Sequence, residues 1–154
     1  MKKMKKADAA ALYNMLSPAK MTKGDLAAKL KLVAAIIATK AVAEELADRE
    51  KTLRDKIKPE GYDAIMEKVR ANAKVTPEEF NRINDTITKH EREVADGMKK
   101  HREAVVEVDM DPWSTEAYNT LIDCNDFSGD QMVMLQRLLM EAPAKEAAGK
   151  EGAK

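Results

Sequence analysis

The chain predicts an all-α fold with room for one short edge strand: a long antiparallel helical hairpin with coiled-coil character, flanked by short helices. Three observations carry that expectation. Hydrophobic residues make up 44% of the 154 positions but aromatics only 4%, so the apolar content is mainly Ala, Leu, Ile, Val and Met, a set that favours helices over a β-sandwich. A helix-start signature recurs four times, with a Ser or Thr between flanking apolar residues: Met21-Thr22-Lys23-Gly24-Asp25-Leu26, Val75-Thr76-Pro77-Glu78-Glu79-Phe80, Trp113-Ser114-Thr115-Glu116-Ala117-Tyr118 and Phe127-Ser128-Gly129-Asp130-Gln131-Met132. In each, the hydroxyl can accept from a first-turn N–H that lacks an intrahelical partner, and the apolar pair can close as a staple. Finally, two long stretches carry apolar residues at steps of three and four with few breakers.

Taken in order, a first helix is expected over about Ala7 to Leu16, with Leu12 and Leu16 one turn apart, and Ser17-Pro18 ends it. A second runs from Thr22 to about Lys58, roughly 55 Å at 1.5 Å per residue. Its first half is apolar on more than one side. Leu26, Leu30, Val33 and Ile37 form one stripe while Leu32 and Ile36 point away from it, so the segment is expected to be covered from two directions. Its second half keeps only Leu46, Leu53 and Ile57 among charges, the composition of a solvated helix with a narrow seam. Pro59-Glu60-Gly61 then breaks the chain, and a shorter helix, about Glu60 to Ala73, turns Tyr62, Ile65, Met66 and Val69 inward.

Thr76 with Glu79 forms a capping box, and Pro77 suits the first helical position because its missing N–H would have been unpaired. The helix it opens carries a near-heptad seam of Phe80, Ile83, Ile87, His90, Val94, Met98, His101 and Val105. From Ala104 to Asp111 the residues become β-branched and partly alternating until Pro112, which reads as a short edge strand. Two helices close the fold, about Thr115 to Cys124 and Gly129 to Glu141, the second opened by the capping box of Ser128 with Gln131. The stretch 142–154 has no large apolar residue and is expected to be a disordered tail, leaving a single domain over 1–141.

The totals exclude several functions. One cysteine, Cys124, rules out an internal disulfide and any multi-cysteine zinc site, and it has no nucleophile-elbow glycines around it. His90 and His101 lie about 16 Å apart along one helix face, too far to share a metal, and read as seam residues. The run Asp123 to Asp130 fails as a calcium loop, since Phe127, Ser128 and Met134 stand where an oxygen ligand, the loop glycine and the bidentate glutamate are needed. There is no phosphate-binding glycine loop and no HExxH. The sequence therefore suggests no enzyme, no cofactor and no metal. Met1 to Lys6 is basic like a secretory start, yet Asp8 and Asn14 interrupt the Ala-rich stretch after it, and Leu32 to Ala38 is too short to span a membrane. A cytoplasmic protein without a membrane partner is expected.

Charge is the sharper signal. The overall formal charge is zero, but residues 1–40 hold nine lysines against Asp8 and Asp25, a formal +7, while 103–141 hold nine acids against Arg137, a formal −8. Lys2, Lys3, Lys5, Lys6, Lys20, Lys23, Lys29 and Lys31 are the candidate basic contacts. Glu107, Asp109 and Asp111, two apart and so on one side of an extended segment, are the candidate acidic ones. Opposite ends can attract within a protomer or between protomers.

Leu26-Ala-Ala-Lys-Leu-Lys-Leu-Val33, Ala43-Glu-Glu-Leu46, Val105-Val-Glu-Val-Asp109 and Gln131-Met-Val-Met-Leu135 together resemble a group of small helical bacteriophage and prophage proteins of unknown function, in outline over residues 10 to 140. The resemblance implies a non-enzymatic protein that works by assembly or by binding. The expected function is thus structural, assembly or adaptor, through helical protein–protein interfaces. Its partners are copies of itself in a homo-oligomer and another phage-type protein; the alternative is nucleic-acid or nucleotide binding through the lysine-rich region.

Overall fold

Six helices and one two-stranded sheet make up the described part of the chain, residues 1–140, in a computed structural model. In order they are β1 (Lys2–Lys5), α1 (Lys6–Leu16), α2 (Leu26–Lys56), α3 (Tyr62–Arg70), α4 (Pro77–Glu103), β2 (Val105–Val108), α5 (Thr115–Cys124) and α6 (Gly129–Met140). The all-α expectation therefore holds, with its one short strand at β2. The tail expected at 142–154 lies outside the described residues.

Local chemistry accounts for most helix starts. Ser114 accepts from the Ala117 N–H at 3.1 Å, and Thr76 from the Glu79 N–H at 3.1 Å. At Ser128 both halves of the box form: the Gln131 N–H donates to Ser128 Oγ at 3.2 Å and the Ser128 N–H to Gln131 Oε1 at 2.9 Å. Thr76→Ala and Ser128→Ala are each expected to cost about 1 kcal/mol, read as a lowered denaturant midpoint; unchanged midpoints would show that these acceptors do not hold their helices.

The signature at Thr22 does not mark the true helix start. Helix α2 starts at Leu26, and its acceptor is Asp25, whose Oδ1 takes the Ala28 N–H at 2.9 Å. Gly24 explains the shift: its φ of +96° turns the chain out of helical conformation after Thr22. A Cβ there would also sit 2.9 Å from Thr120 Cγ2. Helix α3 is likewise shorter than expected, because Gly61 (φ +76°) and Asn72 (φ +52°) hold left-handed conformations at its two ends. Strand β1 has no signal in its lysine-rich sequence. It pairs antiparallel with β2, Lys2 opposite Val108 and Met4 opposite Val106, and so brings Met4 into the core.

Among the described residues the backbone divides into two compact units, residues 1–46 with 102–140, and Ala47–His101. In the first, Leu12 and Leu16 of α1 meet Leu121 of α5 and Leu135, Leu138 and Leu139 of α6. Met4, Val108, Met110 and Trp113 close the core from the sheet side. Trp113 donates its N–H to the Leu139 carbonyl at 2.8 Å, and the Tyr118 hydroxyl donates to the Met132 carbonyl at 2.8 Å, so both halves of that staple are tied to α6.

In the second unit the end of α2 runs antiparallel to α4, since Leu53 faces Gly97 and Arg54 faces Glu91. A Cβ on Gly97 would lie 2.5 Å from Leu53 Cδ2, so the glycine is what lets the two helices come this close. His90, Val94 and Met98 are the buried part of the α4 seam. Phe80, at its start, is 61% exposed, and Val105 has left the helix for β2.

Candidate functional site

Only one side of α2 is covered in the first unit. Ala28, Leu32, Ala35, Thr39, Val42, Ala43 and Leu46 are buried, with the Thr39 hydroxyl satisfied by the Ala35 carbonyl at 2.8 Å. The stripe of larger aliphatics faces outward: Leu26 is 70% exposed, Leu30 57%, Val33 50% and Ile37 68%. The expectation of cover from two directions is therefore not met within the described chain. Steps of four, three and four residues keep these side chains on one face, while Ala27, Ala34 and Ala41, seven apart and exposed, run beside them. Single exposed aliphatic residues need no explanation, but four in line over three turns make a contiguous apolar surface.

Charge edges this surface. Lys29 and Lys40 are exposed along one margin, and Lys40 Nζ lies 3.9 Å from Glu44 Oε1. On the other margin Lys31 donates to the Pro112 carbonyl at 3.2 Å. Between Leu26 and Ala43 there is no acid.

The eight lysines singled out by sequence do not share one surface role. Lys2 is only 6% exposed and donates its ammonium to the Arg137 carbonyl, in the last turn of α6, at 3.3 Å. A cation there complements the carbonyls left open at a helix C-terminus. Lys3 pairs with Glu107 across the sheet at 3.9 Å, and Lys6 with Glu45 at 2.9 Å. The ammonium groups of Lys5, Lys20, Lys23 and Lys29 make no hydrogen bond or ion pair with another described residue.

Glu107, Asp109 and Asp111 are all exposed while Val108 and Met110 between them are buried, so the acidic row does lie on one side of an extended segment. Neither this row nor any other cluster of His, Cys, Asp and Glu among the described residues is arranged to hold a metal ion. No helix of the described chain is long and apolar enough to cross a membrane.

Cys124 sits at the end of α5 beside the loop before α2. The Lys23 N–H holds its thiol below the ordinary value; the Thr22 hydroxyl and N–H and the Lys23 charge act in the same sense, against the effect of burial. The Thr22 hydroxyl lies 3.8 Å from the sulfur, and among the described residues neither a histidine nor a carboxylate hydrogen-bonds the thiol. In the second unit His90 is 2% exposed and its Nε2 donates to the Arg54 carbonyl at 3.1 Å. That carbonyl is one of the last four of α2, which have no intrahelical partner, so the imidazole acts as a helix cap. Arg54 makes a fork to Glu91, which holds the Glu91 carboxyl below its usual range.

A second apolar surface lies in the same unit, a groove of about 280 Å³ lined by Val69, Val75, Phe80, Ile83 and Ile87 with Lys68 at its edge. Val69 is expected to turn inward and Phe80, Ile83 and Ile87 to lie on the seam, yet Val69 is 49% exposed. Side-chain size does not separate the two faces of α2, since alanines stand among larger aliphatics on both, at 28, 35 and 43 on the covered face and at 27, 34 and 41 on the outward one.

No family model, no curated protein and no solved structure matches the chain.

Proposed function

We propose that this chain is a non-enzymatic assembly or adaptor protein that works through helical protein–protein contacts, with the outward face of α2 as its contact surface. The observation that carries this reading is the exposure of Leu26, Leu30, Val33 and Ile37 on a helix whose opposite face is fully packed. Each is half exposed or more, and burying each is worth about 1 to 2 kcal/mol. That gain is of the same order as the cost of bringing two chains together, so assembly through this face is expected to be sensitive to protein concentration. The phage or prophage setting rests on the sequence resemblance alone.

Nucleic-acid binding through the N-terminal lysines draws on fewer groups than the sequence offers, since Lys2, Lys3, Lys6 and Lys31 are each engaged within the chain. The sequence also places a single aromatic, Tyr13, in that region, where single-stranded binders use several as stacking platforms.

Light scattering on a chromatographic column tests the reading. From micromolar to near-millimolar protein the mass is expected to rise above that of the monomer, and Leu30→Glu is expected to hold it at the monomer value with unchanged helix content. A monomer mass for the wild type across the whole range would contradict it.

A further inference from the structure

We propose that the occupant of the exposed α2 face is a second copy of this chain, with the two α2 helices antiparallel about a two-fold axis passing between Val33 and Ala34. This rests on α2 being the contact surface and adds what covers it and in which direction.

The outward face of α2 is self-complementary. The face alternates large and small residues: Leu26, Ala27, Leu30, Val33, Ala34, Ile37 and Ala41. Reversing one helix about the 33/34 position sets Leu26 over the partner's Ala41, Val33 over the partner's Ala34 and Leu30 over the partner's Ile37. Large meets small in two of the three layers, and two aliphatics of similar volume meet in the third. Close packing favours this interdigitation.

The ends agree with the middle. The same register sets Lys29 beside the partner's Ala38, away from the partner's own Lys29. Lys40 falls opposite the partner's Ala27, where its stem can cover a methyl group. A parallel pair instead sets each residue beside its own copy, with Lys29 against the partner's Lys29 and Lys40 against the partner's Lys40. Like charges so placed repel and select against that arrangement. The antiparallel pair is isologous and closes on itself, so assembly through this face stops at two copies.

Disulfide trapping in a Cys124→Ser background tests the register. Leu30→Cys and Ile37→Cys proteins are made separately, mixed in equal amounts and oxidised gently. The cross-link between position 30 of one copy and 37 of the other is expected to dominate. Two copies of position 30 lie about 10 Å apart along the axis in this register, beyond the Cα separation a disulfide tolerates. Dominant 30–30 and 37–37 links would overturn the antiparallel arrangement while leaving α2 as the contact surface; a wild-type mass that never exceeds the monomer would remove both.

Discussion

Leu135→Ala is expected to lower the unfolding free energy by about 3 kcal/mol, within the range measured for emptying a fully buried leucine site. Leu135 is fully buried at the centre of α6, among the leucines of α1 and α5 that form the core of the first unit. That core is built from residues distant in the chain, with Leu12 and Leu16 at one end of the sequence and Leu135, Leu138 and Leu139 at the other. The cavity cannot be closed by a local shift, because the sheet residues Met4 and Val108 and the Trp113 ring line the same core. Against a total stability of about 5 to 15 kcal/mol, the loss is large enough to shift a chemical denaturation curve visibly. A change below about 1 kcal/mol would mean that α6 is not packed as described.

The second large effect is expected at His90, in the other unit. His90→Ala removes a side chain that is 2% exposed, strips the Arg54 carbonyl of its donor and leaves a void beneath Tyr62, whose ring centre is 4.5 Å from the imidazole. The expected cost is about 2 kcal/mol. His90→Leu separates the two contributions. It refills most of the volume and removes Nδ1, a buried nitrogen with no hydrogen-bond partner. It is expected to cost only about 1 kcal/mol, that of the lost hydrogen bond. Because few side chains of the second unit are fully buried, amide exchange in α3 and the middle of α4 is expected to accelerate in His90→Ala more than exchange in α1 and α6. Uniform acceleration across both units would contradict that assignment.

How much of the fold is legible in the sequence depends on how local each cause is. The helix starts at Thr76, Ser114 and Ser128 depend on one side chain and the three residues after it, and these are legible. So is β2, where Val105, Val106 and Val108 stand together. The start of α2 is not, because Gly24 adopts a positive φ, a conformation glycine allows but does not announce. Strand β1 is hidden because Lys2 to Lys5 becomes a strand only by pairing with residues a hundred positions away.

The two faces of α2 show the limit most clearly. Periodicity says that Leu26, Leu30, Val33 and Ile37 share a face and that Leu32 does not, but not which face is covered. Alanines stand among larger aliphatics on both, so size and hydrophobicity alone do not decide it. The decision belongs to α1, α5 and α6, whose packing against Ala28, Leu32 and Ala35 is long-range. Lys2 makes the same point for charge: counted with a basic cluster, it commits its ammonium to the end of α6.

Methyl resonances tracked on dilution test most directly whether the outward face of α2 is a protein contact surface. Between near-millimolar and low-micromolar protein, the methyl signals of Leu26, Leu30, Val33 and Ile37 are expected to move together, while those of Leu12, Leu121 and Leu135 stay fixed. If the four α2 signals are constant across that range, or if the core leucines move instead, α2 is not the contact surface.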